Sequence, residues 1–335
     1  MYNFANTMEM FENLTYKQKL LQRAIGAVLI VGALLCIFQP EYHALRVFTR
    51  FAPQITMGYW LLGLGFLAIK QARLTMVSFI CCGFLCLFLK GMSDSKIEKS
   101  VQTNAQHITV AQINISLSNS SYGETLETIK KTAADVLSIQ EVDFEWSHRL
   151  KDSLSSLYPF SCRVARADVY GIELFSKYPF ATCDTFYSED IPNLIISLKK
   201  TPSSRSIYIV STYVAPPLFT YAYQLMQKQM QIIAEHVRCI SDPLITIGDY
   251  NIESSSFEMQ QFRQEAGLLA SRRGFSPSRI DGHFDLTEVP TDYILFTPQL
   301  ECIYFETIVG KKDEHLGIFG KYQLSNIKTN AQKKD

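Results

Sequence analysis

The stretch PLITIGDYN, residues 243–251, decides the fold of this 335-residue chain. Its first five residues are mostly apolar, and the polar side chains of Asp249 and Asn251 follow Gly248. Such a run predicts a buried strand, and ligand sites of α/β sheets lie where strands of this kind end. An Asp at a strand end is as often a turn former or a helix cap. The meaning of this stretch therefore depends on the rest of the chain.

Segments of strand and helix type alternate on both sides of this stretch. The patterns predict helices at 123–134, 145–157, 219–239 and 255–267, and strands at 108–115, 136–139, 172–175, 195–199, 207–213, 292–296, 302–308 and 316–324. This mixture is typical of a layered α/β sandwich. We predict one α/β domain over 108–326, with a polar linker at 92–107 and a polar tail at 327–335.

The N-terminal region, residues 1–91, has a different composition. Three nearly charge-free apolar stretches lie at about 24–39, 53–69 and 74–90, each close to the ~20 residues that a bilayer span needs. We expect three transmembrane helices and a multi-pass membrane protein. Buried helices of a globular domain are the alternative for each stretch. A cleaved signal peptide agrees less well with three successive segments.

The charges that flank these stretches bear on orientation. Lys17, Lys19 and Arg23 precede the first stretch, and Lys70 and Arg73 lie between the second and third. Five basic residues fall on each side of the membrane, so the counts do not decide. The basic flank of the first helix favours a cytoplasmic N-terminus. With three spans, this orientation places the α/β domain outside the cytoplasm.

Composition limits the possible ligands of the α/β region. Acidic residues outnumber basic ones from residue 108 onward, which gives no support for tight binding to duplex DNA, although a local basic groove is compatible with it. Cys162, Cys183, Cys239 and Cys302 lack the spacing of a zinc site. They could form two disulfides or remain four thiols.

Further polar residues lie at the ends of apolar strands. Because strand ends on one edge of a sheet converge, residues far apart in sequence can share a pocket there. The residues in question are Asn114, the pair Gln140-Glu141, the pair Thr212-Tyr213, and the run Asp313-Glu314-His315.

Together these motifs resemble the endonuclease/exonuclease/phosphatase superfamily, which includes pancreatic deoxyribonuclease, AP endonucleases, neutral sphingomyelinases and inositol polyphosphate 5-phosphatases. The motifs occur in the family's order: an Asn ending the first strand, QE at 140–141, GIELFSKYP at 171–179, GDYN at 248–251, TDYIL at 291–295 and EHLGI at 314–318. The resemblance implies a four-layered, DNase I-like α/β sandwich and a requirement for Mg²⁺ or Mn²⁺.

The resemblance also implies a set of metal ligands. Glu141 would bind the divalent cation, since Mg²⁺ prefers anionic oxygen ligands. Asn114 would hold the metal or the phosphate. Glu314 stands where the family usually has Asp, and Asp313 is the alternative group at that position. The longer side chain of Glu314 makes this ligand the least certain match.

The implied catalytic residues form a second set. Asp249 would orient or deprotonate the attacking water, and Asn251 would position the phosphate. His315 would stabilise charge on the phosphoryl oxygens, with Asp292 accepting its other ring N–H. Many members have His where this chain has Tyr213, and the AP endonuclease branch, like this chain, has Tyr there. A phenol can stabilise the transition state but is a poor general acid at neutral pH, and a packing role is its alternative.

These residues predict a membrane-anchored, Mg²⁺-dependent hydrolase acting on phosphate esters, without a covalent nucleophile. Tyr213 favours a nuclease-like substrate. The membrane anchor favours the alternative of a phospholipid or sphingomyelin headgroup. A hypothesis from another class is a non-catalytic membrane module that binds a phosphorylated ligand, prompted only by Glu314. No protein partner is indicated.

Overall fold

The structure is a computed structural model that describes residues 16–39, 45–92, 107–116, 121–201, 204–272, 290–310 and 315–325. The chain forms two compact units, an N-terminal helical unit and a C-terminal α/β unit. Residues 313 and 314, which belong to the predicted metal site, lie outside the described residues.

The N-terminal unit consists of helices α1 (Tyr16–Phe38), α2 (Arg46–Arg50), α3 (Ala52–Ala68) and α4 (Ala72–Met92). Among the described residues, α1 and α4 are long and apolar enough to cross a membrane. They qualify by length and composition alone, two properties that core helices of soluble proteins and N-terminal signal sequences share.

The prediction of three spans is therefore wrong in number. The middle stretch does form a helix, but α3 has 17 residues. At 1.5 Å per residue it is about 26 Å long, which is shorter than the ~30 Å hydrocarbon core of a bilayer. The helix ends because the chain turns at Lys70, which has a left-handed backbone with a φ of 57°.

Two six-stranded sheets form the α/β unit. The first has the order β11-β12-β1-β2-β4-β3, and the second has the order β5-β6-β7-β8-β10-β9. The strands are β1 (His107–Asn114), β2 (Val136–Gln140), β3 (Phe160–Val164), β4 (Ile172–Ser176), β5 (Phe180–Ser188), β6 (Ile191–Leu198), β7 (Ile207–Tyr213), β8 (Leu244–Asp249), β9 (Leu269–Ala270), β10 (Asp292–Phe296), β11 (Leu300–Val309) and β12 (His315–Leu324). The helices are α5 (Tyr122–Thr132), α6 (Phe144–Leu154), α7 (Thr220–Arg238) and α8 (Phe257–Ala266).

The α/β unit has four layers, as the resemblance implies. A central core of side chains such as Val110, Leu174 and Ile245 joins the facing sides of the two sheets. The outer face of the first sheet packs against α5 and α6 through residues that include Ile129 and Leu150. The outer face of the second sheet packs against α7 and α8. The central strands β2, β4, β8 and β10 are therefore buried on both faces, which explains their continuous apolar runs.

Two strand pairs are parallel, one in each sheet, and they define the edge at which the site lies. β1 runs parallel to β2, and β7 runs parallel to β8. Buried hydrogen bonds link the ends of these strands across the sandwich, because the Gln140 amide donates to the Thr212 carbonyl and accepts from the Asp249 N–H. The C-terminal ends of all four strands therefore meet at one edge.

A disulfide joins the two sheets at their outermost strands. It connects Cys162 on β3 with Cys183 on β5, whereas Cys239 and Cys302 are free. The sequence left open two disulfides or four thiols, and the structure has one disulfide and two thiols. Neither β3 nor β5 was predicted, and β6 begins at Ile191 instead of the predicted residue 195.

Candidate active site

The first half of the site lies at the ends of β1 and β2. The Asn114 Nδ2 donates to the Glu141 Oε1 at 2.8 Å, and the Asn114 Oδ1 accepts from the Ser116 N–H at 3.0 Å. Both Asn114 and Glu141 are half-buried. A carboxylate and an amide that lie 27 positions apart in the sequence are thus in direct contact at the sheet edge.

Glu141 has an unusual backbone conformation. Its φ is 61°, in the left-handed region that non-glycine residues rarely occupy. The chain after it is fixed, because the Val142 N–H donates to the Gly171 carbonyl at 3.1 Å and the Val142 carbonyl accepts from the Arg166 N–H at 3.3 Å. A Cβ at Gly171 would lie 1.9 Å from the Val142 oxygen. The glycine of GIELFSKYP therefore makes room for the Glu141 turn.

The second half of the site contains two buried aspartates. Asp249 at the end of β8 pairs in register with Asp292 at the start of β10. Their exposed fractions are only 9% and 5%. Burial, followed by the charge of Asp292, raises the pKa of the Asp249 carboxyl from 3.8 to about 7. A carboxyl with this pKa can accept a proton near neutral pH, as a general base must.

Asn251 and Tyr213 lie against Asp249. The Asn251 N–H donates to the Asp249 Oδ1 at 2.8 Å, and the Asn251 Nδ2 donates to the Val214 carbonyl at 2.8 Å. Asn251, like Glu141, is left-handed, with a φ of 54°. The Tyr213 phenol hydrogen-bonds to the Asn251 side chain, and burial beside Asp249 raises the pKa of the phenol. Tyr213 therefore keeps its proton and can act as a hydrogen-bond donor.

Gln140 holds the two halves together. Its Oε1 accepts from the Gln112 Nε2 at 2.9 Å and from the Asp249 N–H at 3.1 Å, and its Nε2 donates to the Thr212 carbonyl. The side chain is fully buried. Gly248 allows this close approach, since a Cβ there would lie 1.8 Å from the Thr212 oxygen.

The structure also brings together residues that the sequence did not single out. The Thr212 hydroxyl, next to Tyr213 in the sequence, donates to the buried Asn193 Oδ1 at 2.5 Å. The Tyr170 ring makes an edge contact with Tyr213 at 5.7 Å between ring centroids. A polar residue within the apolar run IPNLIISL was the available signal for Asn193, whereas no local pattern pointed to Gln140 as a bridge or to Tyr170.

His315 opens β12, where its backbone pairs with Val309 of β11. The position of its side chain lies outside the described residues, as do Asp313 and Glu314. Its predicted contact with Asp292 therefore stays a prediction. Glu314 as a metal ligand also stays a prediction.

The described residues suit an oxygen-preferring divalent cation. Mg²⁺ in proteins is often held by one or two carboxylates, with waters and substrate phosphate completing its shell. Glu141, half-exposed and hydrogen-bonded to Asn114, offers such a carboxylate. Among the described residues no group of three or more His, Cys, Asp or Glu side chains is placed to bind a metal. An oxygen donor set of this kind is one that a hard divalent cation prefers.

Comparisons with known proteins agree with this geometry. The family model described as Endonuclease/Exonuclease/phosphatase family matches residues 111–309, which is more than half of the chain. No curated protein sequence matches significantly.

Solved structures show the same fold at low sequence identity. An endonuclease/exonuclease/phosphatase from Beutenbergia cavernae is 17% identical, with a TM-score of 0.54 over 66% of this chain and 72% of that one. The Bacteroides vulgatus endonuclease/exonuclease/phosphatase is 16% identical, with a TM-score of 0.52 over 66% and 100%. D. rerio TDP2 complexed with a single-strand DNA product is 13% identical, with a TM-score of 0.53 over 65% and 99%.

The α/β unit is therefore a mixed α/β domain of the DNase I-like kind, and the site lies at the edge where its motifs converge. The chain belongs to the Endonuclease/Exonuclease/phosphatase family.

Proposed function

We propose that this protein is a metal-dependent hydrolase of phosphate esters. The observation that carries the proposal is the junction of two chemically different half-sites at one edge. The Asn114–Glu141 pair can hold a cation, and the buried Asp249 can accept a proton. Gln140 fixes the distance between these halves. An activated water and a neutralised phosphate are the two requirements of phosphoester hydrolysis.

Each residue would have a distinct part in the reaction. The bound cation would neutralise charge on the phosphate oxygens. Asp249 would hold the attacking water and take its proton, which its raised pKa permits near neutral pH. Tyr213 and Asn251 would donate hydrogen bonds to phosphoryl oxygens that gain charge. His315 would add a further donor, with Asp292 orienting its ring.

The test is hydrolysis by the purified full-length chain with Mg²⁺, with Mn²⁺ and with EDTA. Substrates are bis(p-nitrophenyl) phosphate, single-stranded and abasic DNA, RNA, phospholipid and inositol phosphates. We expect metal-dependent turnover that Asp249→Asn abolishes and that Asp152→Asn, on the exposed face of α6, leaves unchanged. A metal-dependent rise in melting temperature without turnover of any ester would favour the non-catalytic binding module instead.

We also propose that the α/β domain lies in an oxidising compartment outside the cytoplasm. The support is the Cys162–Cys183 disulfide, since such bonds persist mainly in oxidising compartments. The basic flank of the first helix no longer supports this location, because two spans would return the chain to the side of its N-terminus. A membrane anchor through α1 and α4 belongs to the same proposal.

Thiol counting tests the compartment. In protein denatured directly from cells, we expect alkylation of six cysteines without reductant and of all eight after reduction. Alkylation of eight cysteines before reduction would contradict the extracytoplasmic location and would leave the hydrolase proposal intact.

A further inference from the structure

Large apolar side chains are exposed on the segment that leaves the site after β7. Leu218, Phe219 and Tyr221 have exposed fractions of 68%, 58% and 68%. Phe144, three residues after Glu141, is 63% exposed. We call these four residues the apolar rim. Scattered single apolar residues are normal on a protein surface, whereas grouped ones mark an interaction site.

The topology places both parts of the apolar rim at the edge that carries the site. The chain passes from Tyr213 to Leu218 within five residues, and the Val214 N–H donates to the Asp249 carbonyl at 2.9 Å. The chain also passes from Glu141 to Phe144, the first residue of α6. Both segments leave the C-terminal ends of parallel strands that Gln140 joins. The rim therefore borders the mouth of the site.

Three cations on the neighbouring segments are paired with carboxylates. Arg149 binds Glu145 at 2.7 Å. Arg166 binds Asp168 at 2.7 Å and also Asp190. Lys228 on α7 forms an ion pair with Glu189. A surface that binds a nucleic acid strand needs cations for its phosphates in addition to aromatic rings. An acidic domain with these cations paired and with Leu218 and Phe219 exposed fits an apolar partner better.

The same chain carries the means to hold this rim near a bilayer. Helices α1 and α4 are apolar enough to cross one, and 14 residues separate Met92 from His107. Even fully extended, a chain of that length spans no more than about 50 Å. A domain on such a tether stays close to the membrane surface, where aromatic and leucine side chains enter the headgroup region.

We propose that the apolar rim enters the surface of a phospholipid bilayer and that the substrate is a membrane phospholipid whose phosphodiester enters the site. This inference rests on the proposed hydrolase function and names its substrate class. Water from solvent forms the new P–O bond, one ester P–O bond breaks, and the proton taken by Asp249 passes to the departing alcohol oxygen. The products are an alcohol and a phosphate monoester.

A substitution at the opposite end of the sheet supplies a matched control. Leu157 follows the C-terminal end of α6 and is 47% exposed. The neighbouring Tyr158 donates to the Ala134 carbonyl at 3.0 Å, two residues before β2 begins. Leu157 therefore lies at the edge opposite the apolar rim. The same substitution can therefore be made at Leu218 and at Leu157, and its effects at the two edges of the sheet can be compared.

The first experiment measures full-length protein in nanodiscs of phosphatidylcholine and phosphatidylglycerol. We compare hydrolysis of the disc lipids with hydrolysis of soluble bis(p-nitrophenyl) phosphate. In the variant L218S/F219S/Y221S, the rate of lipid hydrolysis should fall at least tenfold. The rate of hydrolysis of the soluble ester should fall less than twofold. L218S should lose part of the lipid activity, and L157S should lose none.

Several results of this experiment would overturn the inference. One is an equal fall of both rates, which would give the rim a role in the site itself. Others are hydrolysis of the soluble ester without hydrolysis of lipid, and turnover of nucleic acid in place of lipid. If neither ester is hydrolysed, the proposed function fails, and the membrane contact is decided by the second experiment.

The second experiment reads membrane contact without catalysis. Leu218→Trp and Leu157→Trp are compared in nanodiscs with and without brominated acyl chains, after subtraction of the wild-type signal from Trp60 and Trp146. We expect quenching of the tryptophan at 218 and none at 157. Equal quenching, or none at 218, would show that the rim does not enter the bilayer, whatever the hydrolysis results are.

Discussion

The two halves of the site differ in their exposure to water. Glu141 and Asn114, on the first sheet, are half-buried and hydrogen-bonded to each other. Asp249 and Asp292, on the second sheet, are almost fully buried and face each other across two antiparallel strands. A carboxylate that solvent reaches is open to a hydrated cation, whereas burial, followed by the charge of Asp292, raises the pKa of Asp249.

This difference suggests a division of labour that follows from the fold. The first sheet supplies the anionic ligand, and the second supplies the proton acceptor. The two tasks therefore fall to different carboxyl groups, Glu141 for the cation and Asp249 for the proton. Gln140 belongs to the first sheet but bonds to the second, so its hydrogen bonds couple the halves directly.

The largest expected effect comes from the buried half. Asp249→Asn keeps the shape of the side chain and removes the proton acceptor, so kcat should fall about 10³-fold, within the range for loss of a general base. The variant should still show the rise in melting temperature with Mg²⁺, since Glu141 is intact. Steady-state kinetics and thermal melts check both points. A fall in kcat of less than tenfold would show that Asp249 is not the proton acceptor.

Substitution in the hydrated half should give a different signature. Glu141→Gln retains the contact with Asn114 but loses the charge, so we expect about a 10²-fold fall in activity at saturating Mg²⁺ and a weaker apparent metal affinity. The melting shift with Mg²⁺ should disappear. Glu145→Gln, on the exposed face of α6, is the matched control. It should leave the activity, the metal affinity and the melting shift unchanged. A normal metal response in Glu141→Gln would contradict the assignment of the two halves.

The connection between the halves can be broken separately. Gln140→Leu leaves the Thr212 carbonyl and the Asp249 N–H buried without their partner, which should lower the free energy of unfolding by about 3 kcal/mol. Gln112→Leu is the control. Its Oε1 already has no partner, so removal of the amide should cost less than half as much. Denaturant midpoints measure both, and equal losses would show that Gln140 has no special part in the coupling.

The pKa of Asp249 also predicts a dependence of stability on pH. An unfolded Asp releases its proton near 3.8, whereas folded Asp249 releases it near 7. The folded state binds more protons between these values, so the free energy of unfolding should fall as pH rises from about 4 to about 7. Buried Glu173, with its pKa raised by burial to about 7, adds to this slope.

Thermal melts in EDTA at several pH values would measure the slope. We expect a smaller slope in Asp249→Asn and in Glu173→Gln, and a nearly flat profile between pH 5 and pH 7 when both are combined. A slope unchanged by Asp249→Asn would show that this carboxyl is ionised throughout and would remove the contrast between the halves.

Much of this arrangement could be predicted from local sequence, and the failures have physical causes. The bounds of β7 and β10 agree with the prediction because their apolar runs are buried on both faces. Strand β5 is an exposed edge with mixed polarity, so no periodicity marks it. Hydropathy found α3 but could not locate the turn at Lys70 that shortens it.

Contacts between distant residues are the part that the sequence could not supply. The GDYN motif placed Asp249 at a strand end, but its partner Gln140 lies 109 residues away. The disulfide had several possible pairings among four cysteines, and only the order of strands in the sheets brings Cys162 next to Cys183. The exposure of Leu218 and Phe219 likewise depends on how the loop after β7 leaves the sheet.

The smallest expected effect concerns Tyr213, for which the sequence left a packing role open. Tyr213→Phe keeps the ring and its edge contact with Tyr170. It removes only the hydroxyl group that hydrogen-bonds to Asn251. Loss of one hydrogen bond to a charged transition state should lower kcat by about 10-fold, close to 1.4 kcal/mol, with KM unchanged. Tyr170→Phe should have no such effect. If Tyr213→Phe has full activity, the ring serves packing alone, and Asn251 is the remaining described donor of the buried half for the phosphate.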